Sequence, residues 1–201
     1  MIKTVIFDLG KTLIPFDFER GYRSLEKLCA WQAAEIPRRI GATDLVHRFE
    51  AGLVEPRDFV RQLSASLEVD LDYDGFREIW SSIFSLEPLI PESTLAALRS
   101  RYRMLLLSNT NAIHFPMLLE RFAPLRHFDG YVLSYEVKAM KPSPEIYRAA
   151  IARAGCGPEE CFYTDDIAEY VEGARREGMR AVQFRSREQI EAEMRALGIE
   201  W

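Results

Sequence analysis

The chain opens on a short apolar, β-branched run, residues 2–7, that stops at Asp8-Leu9-Gly10-Lys11-Thr12. A run that short, continuous rather than alternating and closed by a glycine-containing loop, predicts a parallel strand buried on both faces with polar groups at its carboxyl end. From about Phe18 to Leu86 the apolar positions fall at helical spacing instead. Tyr22, Leu25, Leu28 and Cys29 form one stripe, Phe59, Val60, Leu63 and Leu67 a second behind Pro56, and Phe76, Ile79, Trp80 and Ile83 a third behind Asp72. Pro56 suits a first helical position and Asp72 an N-cap. After Pro88 and Pro91 short apolar runs at 104–107, 131–133, 161–163 and 181–184 alternate with helical patterns at 113–122, 144–154 and 171–177 and with a tail carrying Ile190, Met194 and Leu197. Such alternation predicts an α/β fold, a Rossmann-like three-layer core with a parallel sheet covered on both faces. The helical block is then an insert, with residues 1–15 and 88–201 forming the core and 16–87 a cap subdomain.

Charge and composition narrow the function classes. A net charge of -5, from 26 basic and 31 acidic residues with no block of either sign, argues against a nucleic-acid or anionic-membrane partner. No apolar run approaches the roughly 20 residues that span a bilayer. Asp8 interrupts the first apolar stretch too early for a signal sequence, which makes the cytoplasm the expected location. Cys29, Cys156 and Cys161 are odd in number and lack metal-binding spacing, so free thiols are expected.

In an open parallel sheet, ligands gather at the carboxyl ends of the strands. The first strand ends in Asp8, the strand at 104–107 in Ser108-Asn109-Thr110, and the strand at 161–163 in Thr164-Asp165-Asp166, while Lys141 lies in a proline-marked loop before a helix. Two carboxylate clusters from strands distant in sequence, a Ser/Asn pair and a lysine describe a site for an anion and a divalent metal. The chain has only five lysines, Lys3, Lys11, Lys27, Lys138 and Lys141, and a compact ammonium suits a phosphate contact.

This ordered set resembles the four motifs of the haloacid dehalogenase superfamily: Phe7-Asp8-Leu9-Gly10-Lys11-Thr12-Leu13, Leu107-Ser108-Asn109-Thr110, Met140-Lys141-Pro142, and Tyr163-Thr164-Asp165-Asp166 followed by Gly173-Ala174 and Gly178. The insert resembles the C1 cap of that superfamily. The phrase Phe49-Glu50-Ala51-Gly52-Leu53-Val54-Glu55 and the stretch from Ser108 to His114 are most similar to bacterial members acting on sugar phosphates, glucose-1-phosphate among them. The resemblance implies an Mg2+-dependent phosphatase for a small phosphomonoester, a monomer or homodimer, working through an aspartyl-phosphate. Asp8 is then the nucleophile; Asp8, the Gly10 carbonyl, Asp165 and Asp166 hold the metal; and Ser108, the Asn109 amide and Lys141 hold the transferring oxygens.

Two positions depart from the pattern. Gly10 stands where these phosphatases usually carry a second aspartate that protonates the leaving oxygen, a contribution of about 10²–10⁴ in rate. Asp17, His114 and Glu169 are the candidate substitutes, and the expected enzyme is slow or restricted to good leaving groups. Tyr170, beside Glu169, replaces an acidic residue common in motif four, which leaves the secondary metal ligand open between Asp166 and Glu169. Gly10 also permits a hydrolytic 2-haloacid dehalogenase, against which the Asp165-Asp166 pair speaks, or a degenerate phosphate-binding protein. Trp80, Phe76 and Phe59 are expected in the core of the insert rather than in a substrate pocket, and His47 as an ordinary surface or packing residue.

Overall fold

The computed structural model describes residues 1–201. Strand β1 (Thr4–Phe7) is followed by five helices, α1 (Phe18–Glu26), α2 (Ile36–Ile40), α3 (Leu45–Glu50), α4 (Pro56–Leu67) and α5 (Tyr73–Ser81). The remainder alternates: α6 (Glu92–Arg99), β2 (Arg103–Ser108), α7 (His114–Arg121), β3 (Gly130–Leu133), α8 (Ser134–Val137), α9 (Pro144–Ala154), β4 (Cys161–Asp165), α10 (Ala168–Arg176), β5 (Arg180–Gln183) and α11 (Arg187–Ala196). All strands are parallel in the order β3-β2-β1-β4-β5, so the ends of β2, β1 and β4 lie side by side. The α/β fold is therefore the one read from the sequence. The helix expected at 171–177 begins earlier, at Ala168, and the single turn of α8 has no counterpart in the hydrophobic pattern.

Burial explains why the strands read as continuous apolar runs. Val5, Phe7, Met104, Leu106 and Phe162 face one layer with Leu95, Leu98, Leu118, Ile190 and Met194. Ile6, Leu105, Leu107 and Tyr163 face the other, with Ile146, Tyr147, Val171 and Ala174. The central positions of β1, β2 and β4 are thus committed to one helix layer or the other, and no polar alternation survives there. No helix is long and apolar enough to cross a membrane. The three cysteines are free thiols.

The helices between β1 and β2 have their own core around Leu25, Phe49, Phe59, Leu63 and Phe76. Phe49 stacks on Phe59 with ring centroids 4.0 Å apart, and Phe76 meets Phe59 edge-on at 6.1 Å. Asp72 caps α5 by accepting the Gly75 N–H at 2.7 Å, and Pro56 starts α4 where its missing N–H is not needed. This block joins the sheet by two crossing segments paired antiparallel: the Asp17 N–H donates to the Ile83 carbonyl (2.9 Å) and the Ser85 N–H to the Pro15 carbonyl (3.0 Å). Phe16 and Phe84 pack across that pairing.

Two further ties fasten the block over the sheet. The first is at the end of α3, where Gly52 has φ +67° and lies so close to α8 that a Cβ would sit 2.0 Å from the Tyr135 carbonyl oxygen. Beside it, Ser134 Oγ accepts the Thr110 N–H (3.0 Å) and donates to the Glu50 carbonyl (2.6 Å), and the Lys138 ammonium donates to the Gly52 carbonyl. The second tie is His114, buried between Trp80 and Phe84. Asn111 Oδ1 accepts the N–H groups of Ile113 and His114, which aims its Nδ2 donor at His114 Nδ1 (3.2 Å) and leaves the ring proton on Nε2, donating to the Trp80 carbonyl (3.0 Å). Burial pushes this imidazole down to about 4.

Both ties carry measurable consequences. Gly52→Ala combines a left-handed backbone with a backbone overlap and is expected to cost about 2 kcal/mol or more, read as a lower urea midpoint; an unchanged midpoint contradicts the close approach. His114 is neutral in the fold and protonated below about pH 6.5 in the unfolded chain, so its contribution is full above that pH and is lost as pH falls toward 4. The loss amounts to about 3 kcal/mol. The difference in unfolding free energy between the wild-type protein and His114→Gln, followed from pH 7.5 to pH 4, should fall in that window; a flat difference contradicts it.

Candidate active site

Three neighbouring strand ends and one loop build the site. Asp8 follows β1, its N–H bonded to the Thr164 carbonyl (2.9 Å), so the continuing β1–β4 ladder fixes its backbone. Asp165 is the last residue of β4, and its Oδ1 accepts the Ile167 N–H (2.8 Å), which leads the chain into α10. Lys141 reaches in from the loop before α9, with its peptide bond to Pro142 cis. Its position is set by a reciprocal pair: the Lys141 N–H donates to Asn109 Oδ1 (2.8 Å), and Asn109 Nδ2 donates to the Lys141 carbonyl (3.0 Å).

The Lys141 ammonium, essentially out of solvent, donates to Asp8 Oδ1 and to Asp165 Oδ2, each at 2.6 Å, and also reaches the Tyr163 hydroxyl (3.2 Å) and the Leu107 carbonyl (3.3 Å). The Tyr163 hydroxyl itself donates to Asp165 Oδ2. Burial opposes the lysine's charge, yet the two carboxylates outweigh it and hold the ammonium above its ordinary range. One cation shared between two buried acids leaves them undercompensated. Burial, with Asp165 adding repulsion, pushes Asp8 up to about 7 against the pull of Lys141, and burial followed by Asp165 likewise raises Asp166.

Ligand oxygens of Asp8, Asp165 and Asp166 all lie within 4.8 Å of one another. Three hard oxygen donors at that spacing, with more negative charge than Lys141 can offset, fit a divalent cation such as magnesium. The cluster contains Asp166 and not Glu169. Ser108 is buried at the end of β2, and its hydroxyl has only a 3.3 Å contact to the Asn109 carbonyl.

The first departure from the motif, Gly10, has a packing cause. A Cβ built on Gly10 would stand 2.7 Å from Phe16 Cε1, because the Phe16 ring, held by Phe18 and Phe84, fills the space a side chain at position 10 needs. Lys11 is exposed, has φ +54°, and places its ammonium 5.0 Å from the Phe16 ring centroid. None of the three substitutes expected from the sequence stands free over the site. Asp17 is exposed and caps α1, accepting the Glu19 N–H. His114 has both ring nitrogens engaged, and Glu169 is exposed in the first turn of α10. The Asn109 side chain is spent on the Lys141 backbone.

Two cavities adjoin these residues. A small one of about 70 Å³ is lined by Leu9, Gly10, Phe16, Ser108, Asn109 and Thr110 from the sheet side and by Phe18, Glu50, Ile83, Phe84 and His114 from the insert and its seam. A larger one of about 390 Å³ lies mostly within the insert, walled by Tyr22, Leu25, Ile40, Val46, Ile79 and Trp80, with Thr43, His47, Glu50 and His114 among its polar groups. Phe18, Glu50, Ile83 and His114 line both. Trp80 therefore serves the packing expected of it and the cavity wall as well, and His47 is a wall residue. The motif reading passed over Tyr163 and Glu50; Tyr163 was within reach, as the same-face residue two before Asp165.

Comparison with known proteins places the chain in a family. Residues 2–178 match the family model described as haloacid dehalogenase-like hydrolase. Among curated proteins, the chain is 27% identical over 172 residues to a D-ribitol-5-phosphate phosphatase of Bacteroides thetaiotaomicron, covering 83% of this chain and 84% of that one. It is 30% identical over 193 residues to a phosphatase of Mycobacterium tuberculosis, covering 90% and 86%. A haloacid-dehalogenase-family enzyme from Bacteroides thetaiotaomicron, solved in complex with magnesium and inorganic phosphate, superposes with a TM-score of 0.84 at 28% identity, covering 93% of this chain and 96% of that one. With the family model spanning most of the chain and the strand-end carboxylates and lysine in place, the protein belongs to the haloacid dehalogenase-like hydrolases.

Proposed function

We propose that the protein is a magnesium-dependent phosphatase that hydrolyses a small phosphomonoester, of the sugar-phosphate class, through an aspartyl-phosphate on Asp8. The observation that carries this reading is the Lys141 ammonium bridging Asp8 and Asp165 beside Asp166. That arrangement supplies a nucleophile, an acidic cluster for a divalent cation and a positive charge for phosphoryl oxygens within one buried volume. The names of the relatives, phosphatases of ribitol phosphate and of other phosphorylated carbohydrates, support the substrate class.

Asp8, Asp165, Asp166 and the Gly10 carbonyl would hold the cation, and a bound divalent cation lowers the repulsion between a carboxylate nucleophile and a phosphate dianion. Lys141 changes partners on substrate binding, exchanging its bond to Asp8 for a phosphoryl oxygen. That exchange frees Asp8 Oδ1 to attack phosphorus and keeps the lysine positioned through Asn109. Ser108, with little else to bond, offers its hydroxyl to a second oxygen. Residues 16–87 act as the cap and residues 1–15 and 88–201 as the catalytic core, so the alcohol part of the substrate enters the insert's cavity and water is excluded behind it. The cavity's aromatic and aliphatic walls suit an alcohol with an apolar face, its hydroxyls turned toward Thr43, His47 and Glu50. The acidic trio disfavours a haloacid dehalogenase, whose attack at carbon needs no cation.

Phosphate release from a panel of sugar phosphates and other small phosphomonoesters tests this function. Release should depend on magnesium, stop with chelator, and fall by about three orders of magnitude or more in Asp8→Asn. Release that is equal in Asp8→Asn, or unaffected by chelator, contradicts the reading.

A further inference from the structure

We propose that Glu50, on the insert, is the general acid and base of the reaction, doing from across the cavity what position 10 cannot do from the sheet. The inference rests on the phosphatase reading above and adds a residue to it.

The first observation is steric. The Phe16 ring occupies the volume beside Gly10, so the wall nearest the Asp8 loop holds an aromatic edge and no proton donor. The second is the placement of Glu50. It closes α3 and lines both the small cavity, together with Gly10 and Ser108, and the larger cavity of the insert, so it is shared between the space beside the Asp8 loop and the space proposed for the alcohol. Its backbone is tied to the sheet side through Ser134, whose hydroxyl links the Glu50 carbonyl to Thr110 just past the end of β2, and Gly52 locks against α8 two residues on. The group thus belongs to the insert in sequence, while its backbone is tied to the end of β2.

The third observation is that this carboxyl makes no hydrogen bond and no ion pair with any other residue, unlike Asp17, which caps a helix. Chemistry supplies a use for such a group. Burial alone pushes Glu50 up to about 7, where an acid gives and takes protons efficiently at neutral pH. The titratable groups around it are few: His114, held neutral by burial, His47 and Tyr22 on the cavity wall, and the Tyr170 hydroxyl from α10, whose acidity is weakened by burial first and by the Glu50 charge as a lesser cause.

The steps balance. In the first, Asp8 Oδ1 forms a bond to phosphorus, the phosphorus–oxygen bond to the alcohol breaks, and the Glu50 proton passes to the departing oxygen, leaving the free alcohol and a Glu50 carboxylate. In the second, that carboxylate takes a proton from water as the water oxygen attacks the phosphorus of the aspartyl-phosphate. Phosphate leaves, and the Asp8 carboxylate and the Glu50 acid are both restored.

Leaving-group dependence separates this role from a structural one. The ratio kcat/KM reads only as far as the first irreversible step, in which the alcohol departs, and a 4-nitrophenolate leaves without a proton where an alkoxide does not. Glu50→Gln, close in shape to the protonated acid, should lower kcat/KM for a sugar or alkyl phosphate by about 10²–10⁴ and for 4-nitrophenyl phosphate by less than tenfold. Gly10→Asp with Phe16→Ala, added to Glu50→Gln, should restore part of the alkyl activity by making room for an acid on the sheet side. A loss equal for both esters, a rise in KM with kcat unchanged, or no effect on either overturns the role of Glu50 while leaving the phosphatase reading intact. A wild-type protein inert on every ester removes the phosphatase reading itself.

Discussion

The site depends on one ammonium held between two buried carboxylates. Placing Asp8, Asp165 and Lys141 together out of water costs several kcal/mol per charge, recovered only if each finds a partner with good geometry. The 2.6 Å bonds from Lys141 to both acids meet that condition, and removing any member leaves a buried charge uncompensated, a loss of about 3–5 kcal/mol. The surrounding structure serves this arrangement. Pairing β1 with β2 on one side and β4 on the other brings the three strand ends together, and the apolar layers on both faces make those ends the place where polar groups collect. Asn109 gives up its side chain to hold the Lys141 backbone, which fixes the lysine independently of its head group's partners.

The same constraint explains the acidic surplus. One lysine cannot neutralise three carboxylates, and Asp8 and Asp166 are raised by burial first and by the repulsion of Asp165 after it. A fold that required only rigidity would be better served by apolar residues of similar volume. An unbalanced acidic cluster beside a cavity suits the proposed ligands, a metal ion together with an anionic substrate.

The core of this site was legible because the sheet imposes a rule on the sequence. Each strand is an apolar run that must stop where the ligand begins, so Asp8, Ser108, Asn109 and the Asp165-Asp166 pair could be read directly off the ends of such runs, and Lys141 from its proline-marked loop. What escaped is governed by contacts distant in sequence. That Phe16 bars a side chain at position 10 follows from the antiparallel pairing of residues 15–17 with 83–85, which no local pattern announces. His114 reads as a free imidazole until Asn111 and the Trp80 carbonyl are seen to consume both nitrogens. Glu50 reads as an ordinary polar residue at a helix end, and the single turn of α8 that pins it is too short to leave a periodic trace. The insert's core was foreseen from helical spacing, whereas its cavity was not, because the same stripe of Tyr22, Leu25, Ile79 and Trp80 serves both packing and wall.

The central claim is that Asp8 becomes covalently phosphorylated, and trapping that intermediate tests it most directly. The protein is mixed with magnesium and a phosphate-labelled substrate, quenched in acid within a turnover, and digested for mass analysis. Phosphate on the peptide carrying Asp8, released by hydroxylamine and absent after quenching in chelator, is the expected result. Substrate turnover with no phosphate passing through residue 8 contradicts the account.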